Sequence, residues 1–224
     1  MKLEERKENI LDFIVRDYVE GALPVSSGKI NRSYKPYRMS PATIRAIMGE
    51  LDEEGYLAQP HTSAGRVPTK KGYQYFIEYL ISTTDPNASL RRECEECVDD
   101  VEELTDMLAR HLRAFTMISV FDIMEHRMRR GLPEVLRQPE FYDHRMTTLF
   151  AEAIEELDSA LPSMKTHQPH VNINQFSMIS TAFEDRAGRR YTIASLGPQR
   201  MDYEKAHSLM NYLYKTYTNH EIYA

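Results

Sequence analysis

The 224-residue sequence predicts an α+β protein of two domains. In the first 84 residues, three segments with apolar residues at the helical period precede two short strand-like segments. The stretch TTDPNA, at 83–88, is typical of a linker and precedes a long helical segment. Three strand-like segments and a closing helix then predict a small α/β domain with an antiparallel sheet. The predicted boundaries are 1–84, 85–130 for the linker and long helix, and 131–224.

The composition excludes several classes of protein. No apolar run approaches the roughly 18 residues of a membrane helix, and the charged N-terminus lacks the apolar core of a secretion signal. We therefore expect a cytoplasmic protein that contacts no membrane. Two cysteines fit a reducing compartment and do not complete a tetrahedral zinc site, so we predict no metal and no cofactor. Motifs of hydrolases, metalloproteases and dinucleotide-binding enzymes are absent from the sequence, and we expect no enzyme activity.

Charge is distributed unevenly along the chain, whose formal net charge is -6. Residues 1–84 hold 12 Lys and Arg against 11 Asp and Glu, whereas the remaining residues hold 16 against 23. A basic surface on an acidic protein indicates a directed site for anions. The basic residues of segment 29–71 are Lys29, Arg32, Lys35, Arg38, Arg45, Arg66, Lys70 and Lys71.

The first domain is predicted as three helices, a hairpin and a fourth helix. The first helix covers about residues 3–20 and the second about residues 26–34. Ser40 and Pro41 supply a helix cap and a proline at the first helical position, so the third helix begins there and runs to about Glu54. YLAQ and GRVPT then form two short strands around the loop PHTSA.

This order of elements is typical of a winged helix-turn-helix domain, whose third helix enters the major groove of DNA. Thr43 and Arg45 lie on the outer face of that helix and are predicted to read base edges. Gly65 is predicted to let the hairpin backbone approach a phosphate. Side chains predicted to contact phosphates are Lys29, Arg32, Arg38, Ser40, His61, Thr62, Ser63 and Arg66. Winged helices also dock proteins, which leaves open an interaction module that binds no DNA.

A heptad-like seam after the linker predicts one long helix from Leu90 to Phe115. The stretch FTMISVFDI, at 115–123, either ends this helix or forms a strand. The predicted dimer seam consists of Leu90, Cys94, Cys97, Val101, Leu104 and Leu108. The same pattern fits packing against the chain's own C-terminal domain, and the pattern alone does not separate the two interpretations. Both cysteines lie on the seam, where small apolar side chains pack, which favours packing over redox chemistry.

The segment at 40–80, SPATIRAIMGELDEEGYLAQPHTSAGRVPTKKGYQYFIEYL, resembles the N-terminal domain of the heat-inducible transcription repressor HrcA family. ENILDFIVRDYVEGALPVSS at 8–27, GLPEVLRQPEF at 131–141 and LGPQRMDYEKAHSLMNYL at 196–213 are also similar to segments of that family. The resemblance implies a repressor of heat-shock chaperone genes that binds double-stranded DNA as a homodimer on an inverted-repeat operator. It further implies the chaperonin GroEL as a partner.

The chain departs from the family pattern at two places. Ala46 and Ile47 stand where an asparagine and an acidic residue typically follow the arginine, which leaves open a regulator of unrelated genes with a different operator. Little remains between Phe115 and Gly131, where family members carry a larger middle portion. The resemblance therefore implies that the last domain is a reduced GAF-like domain.

Overall fold

A computed structural model of the chain describes residues 2–33, 39–82, 84–165, 168–185 and 187–218. It combines helices with antiparallel sheets, which confirms the predicted α+β class. The chain divides into two compact units, Met1–Ser82 and Thr83–Ala224. Each unit buries its own set of apolar side chains.

Three helices form the core of the first unit because each buries one apolar face. α1 covers Glu5–Gly21, α2 covers Ser27–Ser33 and α3 covers Pro41–Glu53. The buried side chains recur at helical spacing. They are Ile10, Leu11, Ile14, Val15, Ile30, Ile44, Ile47, Met48 and Leu51.

A short hairpin follows α3. Strand β1, Leu57–Ala58, pairs antiparallel with β2, Val67–Pro68. The backbone of Val25 exchanges two hydrogen bonds of 2.9 Å with that of Arg66, so the segment between α1 and α2 extends the hairpin by one bridge. α4 covers Lys70–Tyr75 and continues as a π-helical turn, Phe76–Leu80.

The second unit begins with two helices where the sequence predicted one. α5 covers Ala88–Cys97 and α6 covers Val101–Leu112, and the two pack against each other. Asp100 explains the break, because its Oδ1 accepts hydrogen bonds of 2.9 and 3.1 Å from two backbone amides of α6 and caps that helix. The predicted single helix from Leu90 to Phe115 is therefore wrong, and Phe115 instead begins a strand.

A five-stranded antiparallel sheet organises the rest of the unit. Its strands are β3 (Phe115–Phe121), β4 (Glu125–Arg130), β5 (His170–Ile173), β6 (Ser177–Glu184) and β7 (Arg190–Gly197). Their order is β4-β3-β7-β6-β5, and every neighbouring pair is antiparallel. The sequence indicated the last three strands, and of its two interpretations for FTMISVFDI the strand is confirmed by β3. It did not indicate β4. EHRMRR shows no alternation of apolar and polar residues, as suits a charged edge strand.

Helices cover both faces of this sheet. α7 (Leu132–Leu136), a 3₁₀ turn (Pro139–Tyr142), α8 (His144–Ala160) and a second 3₁₀ turn (Leu161–Ser163) follow β4. One face packs against α8 through Phe115, Met117, Phe150, Leu157 and Leu196. On the other face, α6 contacts β3 and the closing helix α9 (Tyr203–Thr218) contacts β6.

Candidate nucleic-acid interface

The N-terminal turn of α3 is capped and partly exposed. Ser40 Oγ accepts a hydrogen bond of 3.1 Å from Thr43 N and lies 2.9 Å from Thr43 Oγ1. Pro41 follows at the first helical position, where a missing amide hydrogen costs nothing. Arg45 and Ala46 are exposed, whereas Thr43 is half-buried. Arg45 therefore has the exposure that base reading requires, and the hydroxyl of Thr43 is engaged with the cap.

An ion-pair cluster that no sequence pattern indicated fixes α3 to α1. Lys7 Nζ lies 2.8 Å from Glu50 Oε2 and 2.6 Å from Glu54 Oε1. Hydrogen bonds to these two carboxylates raise the pKa of Lys7 above its ordinary value. The cluster joins the first turn of α1 to the C-terminal end of α3.

The cations of α2 differ in their surroundings. Lys29 Nζ lies 2.7 Å from Asp17 Oδ1, so part of its charge is balanced within the unit. Arg32, in the last turn of α2, is exposed and forms no ion pair with any residue that the structure describes. Arg38 lies outside the described residues. Of the two described cations, Arg32 is thus the more available for an external anion.

The hairpin loop presents three of the predicted phosphate-binding side chains. His61, Thr62 and Ser63 are all exposed. Gln59, which the sequence did not single out, donates from Nε2 to the carbonyl oxygens of Thr62 at 2.9 Å and Ala64 at 3.0 Å. Its amide thereby ties the loop to the end of β1.

Two residues at the far side of the loop are placed differently from the expectation. A Cβ added to Gly65 would lie 2.3 Å from Val25 O, so this glycine serves a close approach within the unit and not an approach to phosphate. Arg66 Nε lies 2.8 Å from Asp52 Oδ2, and its side chain is only 19% exposed. The two groups meet as an ion pair without the alignment of a hydrogen bond. Arg66 thus holds the hairpin to α3.

The predicted dimer seam lies inside the second unit. Leu90, Cys94, Cys97, Leu104 and Leu108 are buried and Val101 is half-buried. Burial raises the pKa of the Cys94 thiol to about 12 and that of Cys97 to about 11. The thiols are therefore protonated at neutral pH, as suits packing. Because the side chains are already covered by their own unit, the structure favours the interpretation of internal packing.

Outside the interface, the second unit contains an open cavity of about 240 Å³ between α8 and the sheet. Leu157, Met164, Phe176 and Met178 are among its lining residues. The residues that the structure describes include no group of three His, Cys, Asp or Glu able to hold a metal ion. None of the helices in the described ranges is long and apolar enough to cross a membrane.

Comparison with known proteins decides the family. Residues 79–206 match the family model described as the HrcA protein C terminal domain, which is more than half of the chain. The chain belongs to the HrcA family. A relative named heat-inducible transcription repressor HrcA, from Pelotomaculum thermopropionicum, is 42% identical over 125 residues, covering 53% of this chain and 36% of the relative. A second relative named heat-inducible transcription repressor HrcA, from Carboxydothermus hydrogenoformans, is 48% identical over 101 residues, covering 45% of this chain and 28% of the relative.

The extent of these matches differs between sequence and structure. The chain matches about a third of the length of the curated HrcA relatives. A crystal structure of a hypothetical protein at 2.2 Å resolution superposes with a TM-score of 0.73, covering 95% of this chain and 96% of that chain. At 17% identity this likeness shows the fold alone.

Proposed function

We propose that this HrcA-family chain is a DNA-binding transcriptional repressor of heat-shock genes that acts in the cytoplasm. The observation that carries the proposal is the exposed Arg45 at the capped start of α3, together with a hairpin loop whose hydroxyl and imidazole side chains face solvent. The names of the matched relatives support the link to heat shock.

In this proposal, residues 1–84 form a winged helix-turn-helix domain. α2 and α3 supply the helix-turn-helix, and the β1–β2 hairpin with the paired Val25 backbone supplies the wing. The N-terminal turn of α3 enters the major groove, where Arg45 donates two hydrogen bonds to O6 and N7 of a guanine. Thr43, whose backbone amide and hydroxyl contact the capping Ser40, holds the start of α3 in place for base reading by Arg45.

Phosphate contacts would come from both sides of α3. Ser40, His61, Thr62 and Ser63 donate hydrogen bonds that position the domain, and Arg32 and Lys29 add affinity that depends on salt. Lys29 contributes less than Arg32, because Asp17 already balances part of its charge. Arg66 acts indirectly, by holding the wing to α3 through Asp52.

We further propose that two copies bind one inverted-repeat operator as a homodimer. A single winged helix buries too little surface to select a site among many competing sequences, whereas two modules read two half-sites. The predicted boundary between residues 130 and 131 would separate β3 and β4 from the sheet that they share with β5, β6 and β7. In this arrangement the whole second unit, Thr83–Ala224, therefore forms the reduced GAF-like regulatory and dimerisation domain. Because the seam side chains are buried within their own unit, we propose that the two copies pair through another surface. The chaperonin GroEL is a proposed partner on the resemblance alone.

A gel-shift titration over a salt series tests the proposal. The probes are duplexes with inverted repeats from upstream of the chaperone operons of the source genome, and random duplex is the control. We expect tighter binding to the repeats and an affinity that falls steeply with salt, with a logarithmic slope of about 0.9 per phosphate contacted.

The other outcomes identify the alternatives. Specific binding to inverted repeats of other operons, found by genome-wide recovery of bound DNA, would indicate a regulator of unrelated genes. Failure to bind any duplex even at low salt would contradict the proposal and indicate a protein-interaction module.

A further inference from the structure

The amide of Gln59 organises the hairpin loop from within. Its single Nε2 donates to two carbonyl oxygens, at 2.9 Å to Thr62 O and at 3.0 Å to Ala64 O. A turn hydrogen bond of 2.8 Å from Ala64 N to His61 O closes the same loop. Gln59 is thus the one side chain, among the residues the structure describes, that donates to the loop's backbone oxygens.

Gly65 and Arg66, which follow the loop, are held by contacts that do not involve Gln59. Gly65 sits against the backbone of Val25, and the neighbouring Arg66 both bridges to Val25 and pairs with Asp52. Within the segment 61–64, the Gln59 amide holds the carbonyls of Thr62 and Ala64. We therefore expect that removal of the amide loosens this segment without releasing the hairpin.

The direction of the loop carbonyls matters for any anion that the loop meets. A carbonyl oxygen and a phosphate oxygen are both acceptors, so a carbonyl turned towards a phosphate is repelled and leaves both groups unpaired. The Gln59 amide draws the carbonyls of Thr62 and Ala64 towards itself. The hydroxyls of Thr62 and Ser63 remain exposed on the loop.

We propose that Gln59 is a positioning residue for DNA binding, which orients the loop so that Thr62 and Ser63 present donors to the phosphate backbone. This inference rests on the proposed function. It assigns to Gln59 no contact with DNA, and it predicts that its loss removes only the phosphate contacts made by the loop.

The test compares Gln59→Met with Gln74→Met. Methionine is close to glutamine in length and uncharged but has no amide, so the variant removes the two donated bonds without adding repulsion from DNA. Gln74 is an exposed glutamine of α4 in the same unit and serves as the matched control. Three properties are measured for each protein. They are its affinity for the duplex that the wild type binds most tightly, the interference caused by phosphate ethylation, and the amide hydrogen exchange of residues 61–64.

We expect Gln59→Met to bind about tenfold more weakly than the wild type, the effect of losing one or two ordering hydrogen bonds. Interference should disappear at the phosphates nearest the loop and persist at those beside α3. Exchange of the loop amides should accelerate in the free protein, and Gln74→Met should match the wild type in all three measurements.

Three results would overturn the inference, and they are distinguishable. If the wild type binds DNA and Gln59→Met shows the same affinity and footprint, the positioning role is refuted while the proposed function stands. If interference weakens equally at all phosphates, Gln59 supports the fold in general and not the loop. If the wild type binds no duplex, the proposed function fails and the positioning role falls with it.

Discussion

Replacement of Leu104 by glutamate distinguishes a core position from a dimer seam. Leu104 is fully buried on the inner face of α6 within the second unit. Truncation of a buried leucine costs about 2–5 kcal/mol, and an unpaired carboxylate in the same place costs several kcal/mol more. Together these terms approach the total stability of a domain, which is about 5–15 kcal/mol. We therefore expect Leu104→Glu to unfold the second unit while the first unit keeps its helices.

Urea denaturation followed by circular dichroism, combined with sedimentation velocity, measures this outcome. The control is Leu132→Glu, which changes a leucine that is 41% exposed at the start of α7 and should leave unfolding unchanged. A Leu104→Glu protein that is fully folded and sediments as a monomer, where the wild type sediments as a dimer, would refute the reasoning. That result would mean that the seam pairs between chains.

Three further perturbations test separate contacts. Gly65→Ala should destabilise the first unit by about 1–3 kcal/mol, because the added Cβ would lie 2.3 Å from a backbone oxygen. Gly49 has open space around it, so Gly49→Ala should stabilise α3 by up to about 1 kcal/mol. Equal shifts in thermal unfolding for the two variants would contradict this. Arg66→Ala should lower stability by about 1 kcal/mol, because it removes the ion pair with Asp52, and it should leave the salt dependence of DNA binding unchanged. If the slope of log affinity against log salt became shallower by about 1, Arg66 would contact a phosphate instead. Burial raises the pKa values of Cys94 and Cys97, so between about pH 9 and 11–12 the folded state binds more protons than the unfolded state. The free energy of unfolding should therefore decline as pH rises through this range. Denaturant titrations that show a constant free energy of unfolding would contradict the burial of the two thiols.

The sequence predicted the first unit well because its signals are local. The helical period marked α1 and α3, and Ser40 with Pro41 marked the start of α3 within one residue. In the second unit the heptad-like pattern continues across the break between α5 and α6, so the apolar spacing did not reveal the break. Asp100 caps α6 only because the chain turns before it, and the sequence pattern did not indicate that turn. β4 escaped prediction because its charged residues owe their strand conformation to pairing with β3, for example Arg129 opposite Met117.

The candidate interface was predictable only in part, because local signals mark its helix but not the contacts between distant segments. The exposure of Arg45 follows from the helical period alone. The partners of Lys7, Lys29 and Arg66 depend on contacts between elements that are far apart in the sequence. Gln59 is different, because its hydrogen bonds are local, and a glutamine at the end of a strand before a short loop could have suggested them.

The measurement that tests the central claim most directly is the discrimination of Arg45→Ala between operator and random duplex, in competition titrations at fixed salt. Loss of a bidentate arginine–guanine contact costs about 1–3 kcal/mol, so we expect discrimination to fall roughly 5- to 160-fold per half-site. Circular dichroism should be unchanged, because Arg45 is exposed. An Arg45→Ala protein that is folded and discriminates as well as the wild type would contradict the assignment of α3 as the reading helix.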